Sequence, residues 1–263
     1  MTIKEITNYI EELAPLQYAE DFDNVGLLVG NYTTEVTGVL VALDTLEDTI
    51  DEAIANNCNL IISFHPIIFS GLKKLNGNTY VERVVLKAIK NDISIYATHT
   101  ALDNVKNGVS GKICEILGLQ NIQTLIPKSN INSKEEIGMG MIGEFKEEMN
   151  EKDFLQFIKT TMKTECVRHS ELIEKPIKKV AVLGGSGSFA IQNAIHSNAD
   201  AYISADFKYH DFFKAEKQIL LADIGHYESE QFTKNLLVEY LTKKFTNFAI
   251  ILSEKSTNPI YYI

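Results

Sequence analysis

Short apolar runs without polar alternation recur along this chain, most of them leading into helix-patterned sequence, and constrain its fold more than any other feature. They read GVLVALD (38–44), NLIIS (59–63), ISIYA (93–97), KKVAVLG (178–184), DAYIS (200–204), QILLADI (218–224) and NFAIILS (247–253). A strand apolar on both faces must be covered on both faces, and helices are the usual cover. Helical periodicity falls between the runs, over 46–56, 80–90, 109–117, 151–161, from Ser188 onward and over 227–243. At the start, Thr2 and Glu5 have the spacing of a capping box, opening an amphipathic helix to about Leu13 with Ile3, Ile6, Ile10 and Leu13 on one face. A further strand is expected near Gly140–Phe145. The pattern is that of an α/β protein with helices on largely parallel sheets. A polar run, KSNINSKEE, follows Pro127 and is the best linker, so the chain is expected to form two α/β lobes.

Composition narrows the partners. Of 263 residues, 45% are apolar and 23% charged, enough apolar material for an ordinary soluble globular protein. No window approaches a membrane span, and the N-terminus lacks the basic start and apolar stretch of a secretory signal. Asp plus Glu number 35 against 25 Lys plus Arg, a net charge of -10 without a basic block, which argues against nucleic acid as a main partner. Three scattered cysteines, Cys58, Cys114 and Cys166, fit a reducing cytoplasm and read as small buried hydrophobes.

In open α/β sheets ligands sit beyond the carboxyl ends of the strands. Three runs end in metal-type ligands: Phe64-His65-Pro66, Thr98-His99-Thr100-Ala101-Leu102-Asp103, and Gly225-His226-Tyr227-Glu228-Ser229-Glu230. His226 and Glu230, four apart, share one face if a helix starts at His226. The alternative is a helix start whose acids merely complement the dipole. Asp103 could equally serve an Asx-turn. Convergence of His, Asp, His and Glu from separate turns suits Zn, Fe or Mn better than calcium.

A glycine run, Gly184-Gly185-Ser186-Gly187, competes. Residues 185–190 fit G-x-G-x-x-A, with Asp206 about twenty residues on, as in a dinucleotide pocket. A lone fingerprint this late in the chain is a weak signal, and no NAD binding is expected. Asp206, Lys208, Tyr209, His210 and Asp211 follow the strand at 200–204 and could line the same cavity. His210 is a candidate general base, or a helix-start histidine held by Asp211. His169 and His196 read as structural, and Tyr261 and Tyr262 as core or interface residues.

Five motifs occur in a familiar order: Phe22-Asp23-Asn24-Val25-Gly26-Leu27, Phe64-His65-Pro66-Ile67-Ile68-Phe69, His99-Thr100-Ala101-Leu102-Asp103, the glycine run, and Gly225 to Glu230. Over residues 3 to 263 the chain resembles the Nif-three-like dinuclear metal-centre family, often labelled a type 2 homologue of GTP cyclohydrolase I. The resemblance implies two interlinked α/β lobes, with 1–126 plus 225–263 carrying the metal and 127–224 forming the second. It implies a homohexamer built as a trimer of dimers. It also implies two divalent metal ions held by His65, Asp103, His226 and Glu230, with the carboxylates bridging. His99 and His210 are then the candidates for proton transfer. Many relatives carry a histidine where this chain has Phe64, so one imidazole ligand is missing, and the larger inserted domain of some relatives does not fit between 127 and 177. The expected activity is metal-dependent hydrolysis of a small molecule, a nucleotide ring in the family's label. The alternative is a metal-binding oligomeric scaffold or regulatory protein without catalysis.

Overall fold

The structure is a computed structural model that describes residues 1–128 and 136–263. Most of the expected linker, residues 129–135, lies outside the described residues. In chain order the elements begin with α1 (Ile3–Leu13), β1 (Gly26–Val29), β2 (Val39–Ala42), α2 (Glu47–Ala55), β3 (Leu60–Ser63), α3 (Tyr80–Lys90), β4 (Ser94–Ala97) and α4 (His99–Asp103). They continue with α5 (Val109–Leu117), β5 (Gln120–Pro127), β6 (Gly138–Met149), α6 (Glu151–Thr161), β7 (Arg168–His169), β8 (Ile177–Ser186) and α7 (Ile191–His196). The last are β9 (Ala201–Ala205), β10 (Leu220–Asp223), α8 (His226–Glu230), α9 (Thr233–Lys244) and β11 (Ile250–Leu252).

Two compact units form, Met1–Leu102 with Thr233–Asn258, and Asp103–Phe232 with Pro259–Ile263. The first holds a five-stranded sheet in the order β1-β4-β3-β2-β11. β4, β3, β2 and β11 run parallel, and β1 closes the edge antiparallel to β4. Every residue of β2, β3 and β4 is buried, as their unbroken apolar runs require. The capping box of α1 is present: Thr2 N–H donates to Glu5 Oε2 at 2.6 Å, and Glu5 N–H donates to Thr2 Oγ1 at 3.4 Å. That helix buries Ile3, Ile6 and Ile10. Leu40, Ile50, Ala53, Ile61, Val84, Ala88 and Ile95 form a core between this sheet and α2 and α3.

The second unit holds a six-stranded sheet in the order β5-β6-β8-β9-β10-β7. Only β8, β9 and β10 are parallel; β5, β6 and β8 form an antiparallel meander and β7 pairs antiparallel to β10. The expected strand at 140–145 is therefore a twelve-residue strand paired on both sides. One core packs Ile113, Cys114 and Leu117 of α5 and Phe154 and Ile158 of α6 on Met141, Val180 and Val182; another packs Ile191 and Ala194 of α7 on Ala181, Tyr202 and Leu221.

These contacts move both expected boundaries. β5 hydrogen-bonds to β6, from Gln120 opposite Glu144 to Pro127 opposite Gly138, so the chain is joined across residue 127, not divided there. α5 packs on the second sheet, which shifts the crossing to Leu102/Asp103. α8 follows, because Ser229 Oγ accepts a hydrogen bond from Gly185 N at the end of β8. His226 and Glu230 thus belong to the second unit, not the first. The expected helix 227–243 is two helices, α8 and α9, and the one from Ser188 opens as a 3-10 turn. Cys58 and Cys114 are buried and Cys166 half-buried; burial pushes the Cys114 thiol up to about 12, which makes it inert. Tyr261 and Tyr262 are exposed, contrary to a core reading. Among the described residues, no helix is long and apolar enough to cross a membrane.

Candidate metal-binding residues

In the second unit, β10 ends at Asp223 and the chain turns through Gly225, whose φ of +93° is the left-handed region that favours glycine. A Cβ at Gly225 would also collide with the Glu228 carboxylate. α8 starts directly after it and places His226 and Glu230 on one face, with Nε2 3.2 Å from Glu230 Oε2. The other ring nitrogen, Nδ1, lies 2.7 Å from Asp206 Oδ2. A carboxylate at neutral pH only accepts, so Nδ1 donates a hydrogen to Asp206, and Nε2 donates one to Glu230 unless a cation takes that hydrogen's place. Asp206 is itself held by the Ser186 hydroxyl, and these bonds set its carboxyl below the usual range. Desolvation opposes charge on His226, yet Asp206 and Glu230 raise its pKa to about 10. The pair thus favours positive charge between Nε2 and Glu230, either a proton or a cation competing with it.

The glycine run is shaped around this pair. A Cβ on Gly185, at φ +70°, would collide with Glu230 Oε1, and one on Gly187 with Ser204 Oγ and the Tyr202 hydroxyl. These glycines make room for the protein's own side chains, and Gly185 lies inside β8 instead of in a phosphate loop. α7, six residues long, does not begin until Ile191. Asp206 accepts from His226 Nδ1 and the Ser186 hydroxyl.

In the first unit the ends of adjacent strands bring two histidines together. His65 follows β3 and His99 follows β4, and their ring centres are 5.4 Å apart. Each is tied to a carboxylate through Nδ1: His65 to Asp44 Oδ1 at 2.8 Å, His99 to Asp23 Oδ1 at 2.7 Å. Asp44, just beyond β2, also accepts the Thr257 hydroxyl. Asp23, with no exposed side-chain surface, accepts Asn24 N, Thr100 N and the Thr100 hydroxyl as well. Burial would raise the Asp23 pKa, but the hydrogen bonds from His99 and Thr100 outweigh it and hold it at about 2. Phe64 is fully buried, its ring 4.9 Å from His65 and 5.5 Å from His99.

Of the expected residues, His226 and Glu230 are brought together in the second unit, and His65 and His99 in the first. Asp103 closes α4, half-buried, and opens the second unit. His210 is exposed beside the rings of Tyr209 and Phe213. Asp211 does not hold it: that carboxylate takes Lys214 Nζ at 2.7 Å and the backbone N–H of Lys208. Asp23 and Asp44, which orient two histidines, had no assigned role in the sequence. Asp44 ends an apolar strand run, the same signal that exposed His65, whereas Asp23 precedes an edge strand and carries no such mark.

A family model described as Duf34/NIF3 (NGG1p interacting factor 3) matches residues 1–259. A Clostridium acetobutylicum protein called "GTP cyclohydrolase 1 type 2 homolog" is 34% identical over 98% of both chains. A Clostridium perfringens protein of the same name is 33% identical over all of both. Among solved structures, a Bacillus cereus protein related to NIF3 matches at a TM-score of 0.93 and 26% identity, over 100% of this chain and 99% of that one. A Staphylococcus aureus hypothetical protein matches at 0.94 and 31% identity, with the same coverage.

Proposed function

The chain belongs to the Duf34/NIF3 family, and on that premise we propose that it is a metal-dependent hydrolase with a dinuclear centre of two divalent ions, Zn, Fe or Mn. The observation that carries the reading is the Asp206–His226–Glu230 arrangement, in which one carboxylate fixes the tautomer and the imidazole presents its other nitrogen beside a second, buried carboxylate. That donor set fits a borderline cation, because a metal-binding histidine commonly donates its far N–H to a carboxylate. His65, oriented by Asp44 in the same way, and Asp103 complete the ligand set that the family resemblance assigns.

When bound, the ions supply Lewis acidity and an activated water. The residues supply the rest. Asp206 and Asp44, at hydrogen-bond distance from Nδ1 of His226 and His65, orient the rings so that Nε2 of each would be the atom offered to the cation. Glu230 and Asp103 balance the charge. His210, exposed beside Tyr209, is open to solvent and is the candidate for proton transfer, whereas His99 is held by Asp23. The relatives' name supports hydrolytic opening of a nucleotide ring as the reaction class.

The test is metal content with turnover. Two equivalents by elemental analysis, together with chelator-sensitive, metal-restored hydrolysis of GTP, an ester or a phosphate, is the expected result. Less than one equivalent with no turnover overturns it in favour of a non-catalytic oligomeric scaffold. Phe64 favours that second reading, since a fully buried phenyl ring beside two imidazoles donates nothing to a cation.

A further inference from the structure

We infer that His99 is a nitrogen donor to the same cation as His65, so that the first unit alone provides a two-imidazole site. The inference rests on the proposed reading that His65 holds a cation. Four observations lead to it, all within the first unit.

His99 matches His65 in its tethering. Nδ1 of each ring is at hydrogen-bond distance from a carboxylate, Asp23 or Asp44, which turns Nε2 of each ring away from that carboxylate as the atom to offer a cation. The spacing suits a shared ion. Two imidazoles on one tetrahedral zinc, at the usual Zn–N distance of about 2.0–2.1 Å, have ring centres roughly 5 Å apart. Here the centres are 5.4 Å apart with the planes inclined at 66°.

The backbone at His99 is also held where a histidine is uncommon, at φ +27°. Such a conformation persists only where the surroundings over-determine it. Those surroundings are the buried Asp23 carboxylate, which grips both the His99 ring and the Thr100 backbone and hydroxyl. Finally, the fully buried ring of Phe64 lies 5.5 Å from His99, a low-dielectric wall that strengthens an ion–imidazole contact. Asp23 is then a positioning residue that acts through His99.

The test is a zinc titration of the full chain against a chromogenic chelator, comparing wild type, His65→Ala, His99→Asn and Asp23→Asn. Asparagine is among the residues best tolerated at positive φ and still reaches the Asp23 carboxylate, so His99→Asn keeps the backbone and removes the imidazole. The expected result is tenfold or greater weakening of one zinc equivalent in His99→Asn, in the same equivalent that His65→Ala weakens, with the other unchanged. Asp23→Asn weakens that equivalent by tenfold or more at unchanged stoichiometry. Circular dichroism and the untouched second equivalent report that the variants fold. If wild type binds both equivalents, His65→Ala weakens one, and His99→Asn stays within about threefold of wild type, the inference falls and the metal reading stands. If wild type binds no zinc, or His65→Ala changes nothing, the assignment of His65 fails first and takes the inference with it.

Discussion

Asp23 shows how one buried carboxylate couples stability to the arrangement of a candidate site. Its four hydrogen bonds exist only when the chain is folded, and they lower its pKa from 3.8 to about 2. A group whose folded pKa is depressed stabilises the fold above its unfolded value and loses that contribution as pH falls through the folded one. The shift corresponds to about 2 kcal/mol, present in full above roughly pH 5. Asp23→Asn should therefore lower the urea unfolding free energy by about that amount at pH 6. The gap to wild type should close as the pH is lowered toward 2. A gap that stays constant between pH 6 and pH 2 would show that the loss is steric and not electrostatic. Glu230 acts differently, because it lies beside His226 Nε2, the nitrogen proposed to hold a cation. Glu230→Ala should abolish tight zinc binding at His226 while leaving the chain folded, measured by chelator competition and circular dichroism. Retention of both zinc equivalents would remove Glu230 from the ligand set.

At the scale of elements, the strands legible in the sequence are those buried on both faces. β2, β3 and β4 lie in apolar runs, and the histidines beyond the carboxyl ends of β3 and β4 stood out because an imidazole follows such a run without warning. β5 escaped notice because it is an edge strand whose exposed and half-buried side chains carry neither a continuous apolar run nor a strict alternation, and β1 because its short apolar run, Gly26–Val29, leads into polar turn sequence instead of a helix. The break between α8 and α9 was hidden for another reason: the helical pattern runs across 226–243, and only the tertiary hold on Ser229 by Gly185 N fixes α8 as a separate turn. The partnership of Asp206 with His226 spans twenty residues and joins the ends of two strands, β9 and β10, a link that periodicity does not report. The glycines of β8 were legible as glycines but not for their reason. Gly185→Ala should cost about 1–3 kcal/mol, from positive-φ strain and collision with Glu230 Oε1, and should weaken zinc binding by displacing that carboxylate. Gly71, with open space around it and no positive φ, is the control: Gly71→Ala should stay within about 0.5 kcal/mol of wild type. Equal urea midpoints for the two variants would refute the close-packing account of the glycine run.

At the scale of the whole molecule, the chain passes between the units three times, at Leu102/Asp103, Phe232/Thr233 and Asn258/Pro259, and the first two crossings lie within a few residues of a proposed ligand. Exposed aromatic rings occur in both units: Phe22 at 66% and Phe69 at 51% in the first, Phe189 at 58%, Phe213 at 62% and Tyr209 at 74% in the second. A single chain gains nothing by leaving so many large rings in water, and apolar surface of this kind commonly marks contact with another chain. We propose that the partner is further copies of the same chain, in the closed hexamer that the family resemblance implies. A net charge of -10 per chain works against assembly through long-range repulsion, which salt screens, whereas burial of apolar rings is not weakened by salt. Light scattering at micromolar protein should therefore give a mass near six chains of 29.5 kDa, unchanged or more fully assembled in 0.5 M NaCl. Dissociation on adding salt would mean that ion pairs hold the interface. A monomer of 29.5 kDa across a wide concentration range would mean that the exposed rings serve some other contact and that the hexamer is not formed by this chain alone.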